Sequence, residues 1–447
     1  MFGEAAGQVK VDTMIICLSN RHQSDNYTDV LTYSGFNRIN DISAETATSH
    51  LKVLQSSWSG SRSKVISLSV GTREDKILQK LKIDTIDLET LCEFCLGLTP
   101  YDKYAGHTEE QILHRVFHST RCLDNNYKRL LASGDVDRYI VEWGGEEWIK
   151  YGEWLAAPRE RRFFKEKHIL VNQIVDWTTR RIKAGITDEE VYNTQNAFNL
   201  LPRSNARLEY IVALLNSALM NFAHEKMFLD EAKMRFQKIL IKDARRFPIR
   251  RINFTLLPER RTYYLEKAKN IYEYCLSKND QACILGFVDH HLSKEPEESD
   301  VVHDLLAFLA EEMIRLNKEK RVATKEFLDW LVTTLRILPD KEGRKGIDVL
   351  TGKARIADYP GDYQKGESPL AFEELLEILQ KNKGRLGVSL SDGGLVERIR
   401  KMYEGSLERV LPLKERLGKT DALIDQVVYR LYGLTEEEIG VVEGREL

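Results

Sequence analysis

Tyr151 to Val175 reads YGEWLAAPRERRFFKEKHILVNQIV. It opens on aromatic residues, turns basic, and ends in an apolar run. The run His168–Val175 is short, β-rich and bounded by polar residues, so it reads as a buried strand with Ile169, Leu170 and Val171 in the core. A second run, "RYIVEW" from Arg138, has the same texture. Between them lies a basic loop. Two readings of that loop stay open on composition alone. It is a solvated face whose long stems cover apolar surface, or it is a surface that holds a polyanion.

Charge has to be read by segment, because the 447-residue chain is nearly neutral at −3. Pro158 to Lys183 holds Arg159, Arg161, Arg162, Lys165, Lys167, Arg180, Arg181 and Lys183 against three anions, a net of +5. Lys233 to Arg261 holds ten cations against two anions, a net of +8, with Lys238, Lys242, Arg245 and Arg246 at its centre. The two segments flank one helical run, so they are candidates to meet on one face. Clustered Lys and Arg neutralise phosphates and release counterions. Asn and Gln can read adenine by paired hydrogen bonds. Asn172 and Gln173 sit in the strand run and qualify if one faces outward.

On either side the texture differs. "VKVDTMIICLS" (Val9–Ser19) and "KVISLSV" (Lys64–Val70) read as strands, with Asn20 to Asp29 as a polar turn or loop. "EDKILQKLKI" reads as a short helix. Ala206 to Met227 reads as one helix, with Leu208, Ile211, Leu214, Leu215, Leu219 and Phe222 at three- and four-residue steps. After Phe254 amphipathic helices dominate. Residues 339–368 are rich in Gly, Pro and charge and read as a long loop. The last helical run takes Thr420-Asp421 as its start and Gly433 as its stop, and "TEEE" at Thr435 matches a capping box. The fold class is therefore mixed, α+β. The expected domains are 1–90, 91–255 and a largely helical 256–447.

Several chemistries find no purchase. No run of 18 apolar residues marks a membrane span, and no basic-then-apolar leader is visible at the N-terminus. Six cysteines do not make a disulfide framework, which points to a reducing cytoplasm. GxxxxGK[ST], GxGxxG and GxSxG are absent. Cys92 and Cys95 with His114 and His118 have a zinc-like order, but buried structural cysteines explain the pair equally well. "PDKEGRK" at Pro339 places Asp340 and Glu342 too close together for a metal-nuclease pair. No catalytic and no metal-ligating residue is assigned.

Five runs occur in order: "GLTPYDKY" (97–104), "LLASGDVDRY" (130–139), "WIKYGEWLAAPRERRFF" (148–164), "HILVNQI" (168–174) and "YIVALLNSALMNF" (210–222). Together they resemble the TaqI-like C-terminal specificity domain of adenine-N6 DNA methyltransferases, most of all the fused type IIG restriction-modification enzymes. Phe2–Ser19 resembles the last strands of the methyltransferase domain, and Thr420–Val442 the C-terminal tail. The resemblance implies a target-recognition domain that binds a specific double-stranded DNA sequence and presents an adenine for N6 methylation. It implies a prokaryotic cytoplasmic setting. It implies DNA contacts from Arg159, Arg161, Arg162, Lys165 and Lys167, with Asn172, Gln173, Arg180, Arg181 and Lys183 after them, and a phosphate track of Lys238, Lys242, Arg245 and Arg246. Asn216-Ser217 is expected to pack helix on strand rather than to read bases.

The family also carries a cofactor loop of F-x-G-x-G type and a catalytic N/D-P-P-Y/F, and this sequence has neither. The expectation is a specificity part of a truncated or split enzyme, inactive alone. S-adenosylmethionine would then sit on the missing methyltransferase part, with a separate methyltransferase or nuclease chain as a candidate partner. The competing class is a non-catalytic helical scaffold that binds another restriction component.

Overall fold

The computed structural model describes residues 26–33, 43, 47, 49–55, 72–145, 147–175, 179, 181–203, 206–228, 238–341 and 343–445. The strand candidates Val9–Ser19 and Lys64–Val70 lie outside them, as does Arg180. The chain divides into two units, Met1–Asp75 and Lys76–Leu447. In the first, β1 (Tyr27–Thr32) pairs antiparallel with β2 (Ser49–Leu54), Tyr27 opposite Leu54 and Thr32 opposite Ser49. The polar reading of Asn20–Asp29 hid the start of β1. Its Thr28 and Val30 turn inward while Tyr27 and Asp29 are exposed, the period of a strand covered on one face.

The second unit is a mixed α+β structure. After α1 (Thr72–Lys80) come β3 (Thr85–Asp87), β4 (Cys92–Leu96), β5 (His118–Ser119), β6 (Tyr127–Leu131), β7 (Val136–Asp137), β8 (Tyr139–Val141) and β9 (Trp148–Lys150). Then follow β10 (His168–Asn172), β11 (Ala184–Thr187), β12 (Tyr192–Asn193), β13 (Ala197–Pro202) and, after three described helices, β14 (Pro248–Arg250). One sheet has six strands in the order β4-β13-β10-β11-β8-β7, and a second has four in the order β12-β6-β9-β5. β10 lies inside the larger sheet, antiparallel to both β13 and β11. All five of its residues are buried. A strand covered on both faces has no alternation to keep, which is why HILVN reads as a continuous run.

The two faces of β10 bury different partners. Leu170 and Ala197 pack with Leu131, Val136 and Val191 from the side of the smaller sheet. The opposite face is closed by α2 (Leu208–Asn216), every residue of which is buried. α3 (Ala218–Phe228) follows directly. The single helix expected over Ala206–Met227 is thus two helices, broken at Ser217, whose φ of −70° and ψ of 154° are extended. Apolar periodicity runs through the break because both helices bury the same side. What stops the first helix is polar. Asn216 leaves the ladder to bond β11, its Oδ1 accepting from the Ala184 N–H at 3.1 Å and its Nδ2 donating to the Ala184 carbonyl at 2.8 Å. Ser217 Oγ accepts from the Met220 N–H at 3.2 Å and so caps α3. The pair packs helix against strand.

The rest is helical. α4 (Pro258–Lys278) has proline at its first position, where a missing N–H costs nothing. α5 (Ala282–Leu292) leads to α6 (Ser299–Leu335), a helix of 37 residues. α7 (Phe372–Lys381) precedes α8 (Gly393–Leu431), of 39 residues. At 1.5 Å per residue each long helix spans about 55 Å. Thr420-Asp421 does not start a helix, as its sequence suggested. It lies inside α8, where the Thr420 hydroxyl donates to the Arg416 carbonyl at 2.8 Å. Gly433 does follow the end of α8, at φ +66°, and the Thr435–Glu438 capping box opens α9 (Glu436–Val442). Among the described residues of 339–368 are three short 3-10 turns, Ile347–Val349, Ile356–Asp358 and Tyr363–Lys365, and the segment contributes to the core. Ile347, Val349, Leu350, Ile356 and Tyr359 are buried against Phe327, Leu331, Leu335 and Leu375. Apolar residues spaced irregularly among Gly and Pro leave no period to read. No described helix is long and apolar enough to cross a membrane.

Candidate nucleic-acid interface

The basic stretch before β10 is anchored by its own aromatics. Phe163 and Phe164, on the helical turn Arg162–Lys165, are buried, and Phe164 stacks on Tyr192 with ring centroids 4.6 Å apart. With Leu98, Leu130, Ile149, Leu155 and Tyr192, Phe164 fixes the turn over the smaller sheet. The cations radiate from that anchor, and most find anions. Arg161 makes paired bonds to Glu190 at 3.0 and 3.2 Å, which hold its guanidinium above its usual range. Arg162 bonds Glu93 at 2.6 Å and Glu160 at 2.8 Å, and its hydrogen bond holds the Glu93 carboxyl low. Lys167 pairs with Glu209. Arg159 is exposed, at φ +60°, with Nε donating to the Gly97 carbonyl at 3.4 Å. Lys165 is exposed and has no ion-pair partner among the described residues.

On the other side of β10 the pattern repeats. Arg181 faces Asp425 at 3.5 Å and Lys183 faces Asp137 at 3.4 Å. Asp425, buried beside Asp421, is pushed up to about 6, mainly by burial. Asn172 and Gln173 are both buried. The Asn172 amide is committed, donating to the Ser133 carbonyl at 3.2 Å and accepting from the Ile174 N–H at 3.1 Å. It does not face outward, because the last residue of a doubly covered strand has no open side.

The second segment is freer. Lys238 lies beside β10's exit through a bridge to Ile174. Lys238, Lys242, Arg245 and Arg246 are exposed and lack ion-pair partners among the described residues. Arg245 rests over Phe94 and Arg246 over Phe228, each 5.7 Å from the ring centre. The structure thus separates candidates that composition had pooled. Lys165 and the 238–246 group present unpaired charge, whereas Arg161, Arg162, Lys167, Arg181 and Lys183 are held by carboxylates distant in sequence. No local signal announces Glu93, Glu190, Glu209 or Asp425 as those partners.

A polar cleft of about 330 Å³ opens near the Asn172 end of β10. Arg115, His118, Ser133, Asp135, Glu147 and Asn196 line it. Arg115 pairs with Glu147 at 3.2 Å. Asp135 accepts from the Ala132 N–H at 2.9 Å and the Gly144 N–H at 3.3 Å, while burial pushes its carboxyl up. Burial pushes His118 down to about 4, and it bonds the Tyr101 hydroxyl at 2.9 Å. The cleft offers donors and acceptors side by side. Its lining comes from β5, β6 and the separate loops around them, so no sequence motif marks it.

Cys92 and Cys95 belong to β4. Residues three apart on a strand point to opposite faces, so the spacing that converges on a helix diverges here. Burial also pushes the thiols up, to about 12 for Cys92 and about 11 for Cys95, which disfavours the thiolate a metal needs. Among the described residues no group of three or more His, Cys, Asp or Glu could hold a metal ion.

Residues 128–249 match the TaqI-like C-terminal specificity domain. That match runs from β6 to β14 and takes in β10, the anchored basic stretch and the 238–246 group. No curated protein matches the chain. Among solved structures, the chain is similar to the type IIL restriction-modification enzyme MmeI in complex with DNA, at 11% identity and a TM-score of 0.23. The alignment covers 48% of this chain and 32% of that one.

Proposed function

We propose that this chain is the DNA-recognition part of a restriction-modification system, with residues 91–255 binding a specific duplex sequence and residues 256–447 as their helical platform. The specificity-domain match over residues 128–249 carries the reading. The unpaired cations support it. Lys165, Lys238, Lys242, Arg245 and Arg246 hold phosphates, which position the duplex without reading it. Arg159, whose Nε donates to the Gly97 carbonyl, joins them directly, and Arg161, Arg162, Lys167, Arg181 and Lys183 join by exchanging a carboxylate for a phosphate. An exposed ion pair is worth about 0–1 kcal/mol, so the exchange costs little for the exposed pairs. Base edges are read from the polar cleft by Ser133, Glu147 and Asn196.

The finer reading rests on the ordered runs from Gly97 to Phe222. The partner is a methyltransferase part that uses S-adenosylmethionine to methylate adenine N6 at the selected site. This chain's residues do not supply that group's motifs, so no chemical step is assigned to them. Purified chain with labelled S-adenosylmethionine and duplex DNA is expected to transfer no methyl group, and transfer would overturn the division.

Recognition is tested by selection from a randomised duplex pool, followed by salt titration. A single sequence should be enriched, and binding should weaken steeply with salt. Lys238→Gln with Lys242→Gln should lower the salt slope by about 2 and weaken all sequences alike. Asn196→Ala should instead relax the preference at one position, at about 1–3 kcal/mol. A chain that binds no duplex at low salt is not a recognition module.

A further inference from the structure

Two segments outside the recognition site meet at the far end of the long helices. Residues 336–345 carry Arg336, Lys341, Arg344 and Lys345 against Asp340 and Glu342. Residues 381–385 add Lys381, Lys383 and Arg385, which brings the pair of segments to a net of +5. An antiparallel bridge between Ile337 and Leu386 joins them. The Leu338 N–H donates to the Arg385 carbonyl at 2.9 Å, and the Gly387 N–H to the Arg336 carbonyl at 3.2 Å. The segments lie about 40 residues apart in sequence, with net charges of +2 and +3, and the fold adds them together.

The tip is a built surface. Leu335 and Leu386 are buried beneath it. Asn382, between two of the lysines, is buried and donates to the Thr351 and Ile378 carbonyls, both at 2.8 Å. Asp340 is spent within its own turn, accepting from Arg344 Nε at 2.6 Å and from the Arg344 N–H at 2.8 Å. The remaining cations point to solvent. Arg336, Lys341, Lys345, Lys381 and Lys383 are exposed, and none has an ion-pair partner among the described residues. Leu338, 49% exposed, is the one large apolar residue exposed on these two segments among the described residues. Protein interfaces are depleted of Lys and built on an apolar centre. A lysine-rich, apolar-poor surface fits phosphates instead.

Its position sets what it reaches. Arg321 of α6 still touches the recognition part, bonding Glu142 at 2.6 Å. From Arg321 the helix runs on to Leu335, about 20 Å at 1.5 Å per residue. That is the rise of about six base pairs at 3.4 Å each. We propose that this tip is a second phosphate-contacting surface, which takes the backbone of duplex DNA outside the segment read by the sheets. The proposal rests on the DNA-recognition reading for its ligand but not for its residues.

The test compares the full chain with a Lys341→Gln, Lys345→Gln, Lys383→Gln variant on non-specific duplexes of about 12 and 30 base pairs over a range of salt. These are exposed positions, and an unchanged melting temperature confirms folding. On the long duplex the slope of log affinity against log salt should fall by about 2.5 to 3, since each lost contact removes about 0.9. On the short duplex the variant should match the unaltered chain. An unchanged slope on the long duplex, or equal loss on both lengths, overturns the proposal. So does binding of an acidic polypeptide such as polyglutamate in place of the long duplex. Lys238→Gln with Lys242→Gln reports on the recognition site separately, because it should weaken both lengths. Failure of either surface is therefore distinguishable from failure of the other.

Discussion

Arg138 is buried between β7 and β8, its side chain 1% exposed. Nη1 and Nη2 bond the two oxygens of Asp421 at 2.6 and 2.7 Å, and Nη2 also donates to the Asn216 carbonyl at 2.8 Å. One guanidinium thus joins the six-stranded sheet, the end of α2 and the C-terminal third of α8. The next residue, Tyr139, is also fully buried and sits at φ +65°, a strained position for a bulky side chain. Paired, each of the two charges is compensated, although Arg138 Nε stays buried without a hydrogen-bond partner. Unpaired, one of them is not. Arg138→Met should destabilise by about 3–5 kcal/mol, because it leaves Asp421 buried beside Asp425 without its cation. Adding Asp421→Leu should recover part of that loss. Denaturant midpoints measure both, and a single-variant cost below about 1 kcal/mol would contradict this account. Nothing in "GDVDRY" distinguishes Arg138 from a surface arginine, since the partner lies 283 residues away.

Elements were legible where one rule governed them. His168–Asn172 followed from a short apolar run, and α9 from its capping box. Where two rules competed, the sequence misled. Apolar periodicity carried the eye through Ser217, although Asn216 and Ser217 are the polar residues that end one helix and start the next. Thr420 has the chemistry of a cap but bonds back to Arg416 inside α8, because Tyr272 meets the same hydroxyl at 2.8 Å and Asp421 is claimed by Arg138. The candidate site divides the same way. The basic segments were visible, but most of their pairing was not, because Glu93, Asp137, Glu190, Glu209 and Asp425 arrive from other elements. If Ser217 is the hinge between α2 and α3, its hydroxyl should matter more than its size. Ser217→Ala should cost about 1–2 kcal/mol by removing the cap, while Ser217→Asn should restore most of it. Equal loss in both would assign the effect to packing instead.

At the scale of the whole molecule, burial holds two histidines of the second unit, His118 and His224, toward their neutral form. His224 is 2% exposed in α3, with its ring edge-on to Phe247 at 5.8 Å, and its Nε2 has no hydrogen-bond partner. Burial pushes it down to about 4, and His118 in the polar cleft is pushed to about 4 as well. In the unfolded chain both titrate near 6.5. Between pH 6.5 and 4 the unfolded chain therefore binds protons that the folded chain refuses, and stability falls as pH drops through that window. Asp425 works in the opposite direction over part of it. Its folded value of about 6 lies above the unfolded value, so its proton favours the folded state at low pH and that contribution is lost as pH rises through 6. The His224 contribution taken by itself has a positive slope and amounts to on the order of 2 to 3 kcal/mol over this window. His224→Leu keeps the volume close and removes the titration. Urea midpoints at pH 7 and pH 4.5 should converge in that variant relative to the unaltered chain. An acid loss of the same size in both would mean that His224 takes up no proton on unfolding beyond what it already holds when folded.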